Sequence, residues 1–197
     1  MTVIAMPASP VPRTVAWNLR QPTQVNRSEF TGRRKVTILG TAPRWTAKVT
    51  LPPIIGEPKI HAWRAFAVDC NGQANSFRVI ACERDQIVGV TVRVAGAGQG
   101  GFAVVTNGWG GAGVKLRRGQ FVTIADQLLM LMQDVVADDA GTATLRFKPF
   151  LRRAAANGAE IEVRRPYALM SMTGDEAGWV ADVGQQYAVS FDCEESY

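Results

Sequence analysis

The chain has 197 residues, 47% of them apolar and 20% charged. That balance excludes wholesale disorder, and the length suffices for a core that needs no disulfide or metal staple. A formal charge of +5 is a mild bias, which permits contact with nucleic acid or an acidic surface but demands neither.

Met1–Pro12 carries Pro7, Pro10 and Pro12 and no charged side chain. It reads as an extended N-terminal arm that orders against a neighbour, and it lacks the basic start of a signal peptide. Lys35–Leu39 is the first strand candidate. Arg44–Leu51 follows, with Trp45, Ala47, Val49 and Leu51 apolar and the even positions polar. Period-2 alternation of this kind places successive side chains on opposite faces of a half-buried strand. Pro52-Pro53 end it, because proline cannot donate to a ladder. Pro58–Cys70 changes period: Ile60, Trp63, Phe66, Ala67 and Cys70 share one helical stripe, so one amphipathic helix is expected there.

Beyond the helix, strands are expected at Ser76–Ala81, Val88–Val94, Phe102–Thr106, Phe121–Ile124, Thr142–Phe147, Ile161–Arg164, Tyr167–Met172 and Tyr187–Phe191. Gln127–Val136 fits a helix or a buried strand by periodicity, and the Gly141 turn after it favours a strand. Asn71-Gly72, Asn107-Gly108, Asp139–Gly141, Asn157-Gly158 and Gly174-Asp175 separate the runs as turns. The expected fold is all-β with one flanking helix, built as a β-sandwich or split barrel. Composition divides it into the arm (1–12), an N-terminal β subdomain with the helix (13–95), glycine-rich loops (96–113) and a C-terminal β subdomain (114–197). The two subdomains can form one continuous domain. No run of 18 apolar residues exists, so no membrane span is expected.

Candidate chemistry is sparse. Gly96–Gly101 matches GxGxxG, but a dinucleotide loop needs a helix next. Phe102–Thr106 follows as a strand, so a hairpin loop is the better reading. Gly108–Gly113 is either a turn capped by a packed Trp109 or a loop threading against a neighbouring subunit. His61 is the only histidine, without a second for a metal site and without a GxSxG elbow for a triad. Cys70, Cys82 and Cys193 are scattered with no CxxC pair, which indicates reduced thiols of a protein made in a cytosol, buried as small apolar groups. Asp138-Asp139 reads as turn formation. Asp192 with Glu194-Glu195 reads as a solvated tail, or as a group that binds a cation or a neighbour's arginines. Arginine supplies 17 of the 22 basic residues, in the pairs Arg33-Arg34, Arg117-Arg118, Arg152-Arg153 and Arg164-Arg165. Its planar fork suits protein–protein interfaces. No catalytic, cofactor-binding or metal-ligating residue is assigned, and a non-enzymatic role is expected.

The order of short motifs resembles a known family. Arg27–Gly32 precedes a strand and Arg44-Trp45 opens the next. Leu51–Ile54, Trp63–Phe66 on the helix and Gly72–Arg78 follow. The second half carries Leu116–Phe121, Asp134–Asp138, Gly141–Leu145, Pro149–Arg152, and Pro166 before an apolar strand. Over roughly Arg27–Met172 this succession is similar to the distal tail (tail-tip hub) proteins of tailed bacteriophages. The resemblance implies a tail-tube-like β-sandwich with a flanking helix, assembled as a hexameric homo-oligomeric ring in the virion tail and made in the host bacterial cytoplasm. The implied partners are the tail tube protein and tail hub or fibre proteins, with DNA passing through the lumen without specific binding. The separate carbohydrate-binding domain that many members add is not expected within these 197 residues. The rival readings are another virion part (tail tube, terminator or head–tail connector) and a β-barrel module that binds nucleic acid or carbohydrate.

Overall fold

Strand alternation decides most of the backbone. The computed structural model describes residues 2–39, 43–82 and 84–196. Met1 of the expected arm and Tyr197 of the expected C-terminal subdomain lie outside the described residues. In chain order the elements are Val3–Ile4 (β1), Thr14–Arg20 (β2), Thr23–Arg27 (β3), Arg34–Ile38 (β4), Arg44–Thr50 (β5), Ile54–Ile55 (β6) and the helix Glu57–Asp69 (α1). Ser76–Ile80 (β7), Val92–Val94 (β8), Gln99–Asn107 (β9), Gly113–Leu116 (β10), Phe121–Ile124 (β11), Gln127–Leu131 (β12) and Val135–Ala137 (β13) follow. Ala143–Ala155 (β14), Glu160–Glu162 (β15), Tyr167–Met172 (β16), Val180–Asp182 (β17), Gln186–Ala188 (β18) and Ser190–Glu195 (β19) complete the chain. Among the described residues the protein is mostly β with a single helix, as its alternation led one to expect.

Two bodies of sheet share the work. An open six-stranded sheet runs β1-β7-β16-β19-β5-β2, and a closed barrel runs β11-β12-β14-β9-β8-β15. The barrel strands all come from residues 92–162, while the open sheet takes strands from both ends of the chain. The chain therefore does not divide at 96–113: the middle folds as a barrel inside a frame made by the two ends. Composition could not show this, because glycine content marks where the backbone turns and not which strand it pairs with.

The helix forms where the stripe placed it. Ile60, Trp63, Phe66, Ala67 and Cys70 are all buried. Pro58 sits in the first turn, where its missing N–H costs nothing, beside Glu57, which favours the positive end of the helix dipole. Asn71 and Gly72, both at positive φ, turn the chain into β7. The stripe packs against the open sheet: Phe66 lies edge-on to Phe77 at 5.1 Å, and Phe77 edge-on to Phe191 at 5.8 Å. On β5, Trp45, Ala47 and Val49 face this core and the next residue, Leu51, continues the series. Each such large apolar side chain contributes roughly 1.5–3 kcal/mol on burial.

Three details depart from the alternation. Val88–Val94 is a strand only over Val92–Val94, because Gly89 turns at φ 76°. The arm is partly ordered within one chain: β1 adds in parallel to the edge of β7, Val3 opposite Ser76 and Ile4 opposite Phe77. Within 96–113, nine residues form β9, so only the flanks are loops.

Candidate functional site

The GxGxxG segment joins β8 to β9 in an antiparallel hairpin. Gln99 closes its loop, donating from Nε2 to the Ala95 carbonyl (2.6 Å) and accepting from the Val105 N–H (2.6 Å). The second glycine loop resolves toward packing. Trp109 is fully buried in the barrel core and donates from Nε1 to Thr106 Oγ1 at 2.7 Å. Gly108 is obligatory there, because a Cβ would overlap the Thr91 carbonyl oxygen. His61 is exposed on α1, 4.0 Å from Glu57. Asp138 builds the turn before β14, its Oδ1 accepting from the Thr142 N–H at 2.7 Å. Among the described residues no group of three or more His, Cys, Asp and Glu is placed to hold a metal ion, and no helix is long and apolar enough to cross a membrane.

Burial pushes the Cys70 thiol up to about 11, with the Asp69 charge adding to it, and pushes Cys193 up to about 12. Cys82 is less buried, and desolvation raises it too. A protonated, buried thiol is a poor nucleophile. Alkylation of the native protein at neutral pH is therefore expected to label Cys82 first. Cys70 and Cys193 should react only after denaturation. Equal labelling of all three in native protein would contradict this packing.

The C-terminal acids are not a solvated tail. β19 lies inside the open sheet, between β16 and β5. Glu195 is buried, pairs with Arg152, and accepts from the backbone N–H groups of Trp45 (3.3 Å) and Leu128 (3.2 Å). Glu194 pairs with Arg44 at 3.3 Å. The arginines that these acids meet belong to the same chain. The reading as a tail failed because it took the charge count alone: Phe191, Cys193 and Glu195 share one strand parity, and that parity points inward.

The arginine pairs sort in the same way. Arg117 meets Asp134 at 2.9 Å, and the Arg118 N–H and the Arg117 side chain hold the Asp134 carboxyl below its ordinary range. Arg164 and Arg165 both face Asp85, at 2.7 and 3.7 Å. Arg152 has Glu195. Among the described residues Arg33 and Arg34 have no acidic partner, and neither do Arg27 and Lys35.

Those four residues belong to a ribbon that packs little. β3 and β4 form a two-stranded ribbon joined to no other sheet, and all ten of their residues are exposed. The Ser28–Arg33 turn closes it: the Ser28 N–H donates to the Arg33 carbonyl and the Gly32 N–H to the Ser28 carbonyl, both at 2.9 Å. An isolated ribbon is marginal in water, and its two free edges invite pairing. Its composition deepens the problem. Phe30 at the tip is 98% exposed and Ile38 80%, and Val25 sits opposite Val36 with both half-exposed. Arg27 sits directly opposite Arg34, a like-charge pair that weakens a ribbon unless an anion lies between. At its base Pro22, Ile38 and Leu39 line an apolar pocket of about 200 Å³ with Phe102, Pro149 and Phe150 of the barrel. Sequence reading found β4 but missed β3, since Thr23–Arg27 has only Val25 as an apolar signal. β2 was legible, with Val15, Trp17 and Leu19 alternating, and was also missed. Compared with known proteins, the chain matches no family model and no curated protein sequence.

Proposed function

We propose that the chain is a structural subunit of a bacteriophage tail tip, forming with copies of itself a ring that joins the tail tube to the distal tip and fibres. The observation that carries the reading is the β3–β4 ribbon. It presents exposed apolar side chains, and basic side chains that no acid pairs among the described residues, as a subunit completed by its neighbour would. The rest of the surface supports a structural role, because the polar side chains singled out for chemistry are used to tie turns and strands together. The motif order over Arg27–Met172 supplies the tail-tip assignment. Against a nucleic-acid-binding barrel, three of the four arginine pairs are engaged by carboxylates of their own chain, which lowers the positive field offered to phosphates.

Light scattering across a concentration series tests the ring. Six copies of the 21.4 kDa chain would weigh about 128 kDa. Growth toward that mass is the expected result. Salt-dependent DNA binding by a persistent monomer would favour the rival module instead.

A further inference from the structure

The ribbon's charge has a counterpart elsewhere in the molecule. From Arg20 to Leu39 the chain carries Arg20, Arg27, Arg33, Arg34 and Lys35 against Glu29. After Arg165 it carries six acids and no lysine or arginine. Glu194 and Glu195 are paired internally, but Asp175, Glu176, Asp182 and Asp192 are exposed and none is in an ion pair among the described residues.

These acids surround a small sheet, β17-β18-β6. It exposes Val183 (92%), Val180 (66%), Ile55 (63%) and part of Trp179. Asp175, Glu176, Trp179 and Val180 line an open depression of about 670 Å³ there. The face is held in place from beneath: the Arg64 guanidinium of α1 lies 5.0 Å from the ring centres of both Trp179 and Tyr187, a cation–π contact that fixes the sheet to the helix.

Basic ribbon and acidic sheet stand at opposite ends of one ladder. Arg20, where the chain leaves for the ribbon, pairs with Arg44 at the start of β5. Ser190, where the chain arrives from the acidic sheet, pairs with Thr50 at its end. A seven-residue strand separates them, about 20 Å at ~3.3 Å per residue. With donor and acceptor at opposite ends, a contact that joins the ribbon of one copy to the acidic face of the next can repeat head-to-tail, the type that closes into rings or runs on as filaments.

We propose that the β3–β4 ribbon of one copy docks on the β17-β18-β6 face of a second copy. Arg27, Arg33, Arg34 and Lys35 then meet Asp175, Glu176 and Asp182 around an apolar centre that includes Phe30. A carboxylate set beside Arg27 and Arg34 also relieves their cross-strand repulsion. The inference rests on the self-assembly reading above and names its interface.

Charge exchange tests it on the full chain. Arg27→Glu with Arg34→Glu reverses the ribbon and keeps its cross-strand pair like-charged, so the free ribbon is no worse off. Asp175→Lys with Asp182→Lys reverses the acceptor. Both sites are exposed, and circular dichroism and melting should match the parent. Each reversal alone should raise the concentration for assembly about tenfold or more, and a chain carrying both should assemble again. Assembly of either single-site reversal at the parent's concentration overturns the interface and leaves the ring standing. So does failure of the combined chain to recover. A parent chain that stays at 21.4 kDa at every concentration overturns the interface and the self-assembly reading together.

Discussion

Replacing Glu195 with alanine is expected to cost about 3–5 kcal/mol of stability, the range found when one partner of a buried ion pair is removed. The carboxylate is fully buried and its partner Arg152 nearly so, with side-chain exposures of 0% and 13%. Removal strands more than the guanidinium. The N–H groups of Trp45 and Leu128 both donate to this carboxylate, and an unsatisfied buried donor costs about 1–3 kcal/mol. The site also joins the two bodies of the fold: Glu195 and Trp45 belong to the open sheet, Leu128 and Arg152 to the barrel. Trp45 strengthens the same seam, donating from Nε1 to the Leu128 carbonyl at 2.9 Å and lying edge-on to Phe121 at 5.7 Å. Denaturant unfolding should therefore show a lower midpoint for Glu195→Ala, with a melting temperature down by roughly 10 °C or more. Glu194→Ala is the control. Its pair with Arg44 is partly exposed, with side-chain exposures of 30% and 40%, so about 1 kcal/mol or less is expected. Equal effects from the two variants would mean that the buried pair does not hold the seam.

The contrast between Glu194 and Glu195 shows what could be read in the chain and what could not. Alternation assigns a residue to a face. It placed Trp45, Ala47, Val49 and Leu51 inward, and the helical stripe placed Ile60, Trp63, Phe66, Ala67 and Cys70, all correctly. Carried through Phe191 and Cys193, the same parity marks Glu195 as inward, a charge that must find a partner. Alternation is silent about which strand lies alongside. Nothing local in β16 or β19 announces that they complete a sheet begun by β2 and β5 more than a hundred residues earlier. Pairing of that kind is decided by the summed fit of faces, which is why a sandwich or split barrel was expected but the nesting of a barrel between the chain ends was not. The ribbon was half-legible for the opposite reason: among the described residues its strands stay exposed along their whole length, so β3 has no apolar face to betray it.

Trp109→Ala is expected to cost about 3–5 kcal/mol, as for other large aromatic truncations in a core. The residue sits in a loop, where such a loss is unusual, and the local geometry explains it. Gly108 at φ 88° and Gly110 at φ 78° let the backbone fold back so that the indole enters the barrel beside Leu145, Val104 and the rest of its core. The chain on the other side is equally constrained: the Trp109 N–H donates to the Gly141 carbonyl at 3.1 Å, and a Cβ on Gly141 would come within 2.5 Å of the Gly110 carbonyl oxygen. Indole Nε1 bonds Thr106 Oγ1, which itself donates to the Ala143 carbonyl at 2.7 Å, so the ring locks β9 to β14. Trp109→Phe separates packing from hydrogen bonding. It keeps a buried ring and gives up the Nε1 donor, for an expected loss of about 1–2 kcal/mol. Guanidinium unfolding of the parent and both variants measures the series. A loss under about 1 kcal/mol for Trp109→Ala would mean that the indole is peripheral and would return this loop to the surfaces available for assembly. The expected order is alanine well below phenylalanine and phenylalanine below the parent.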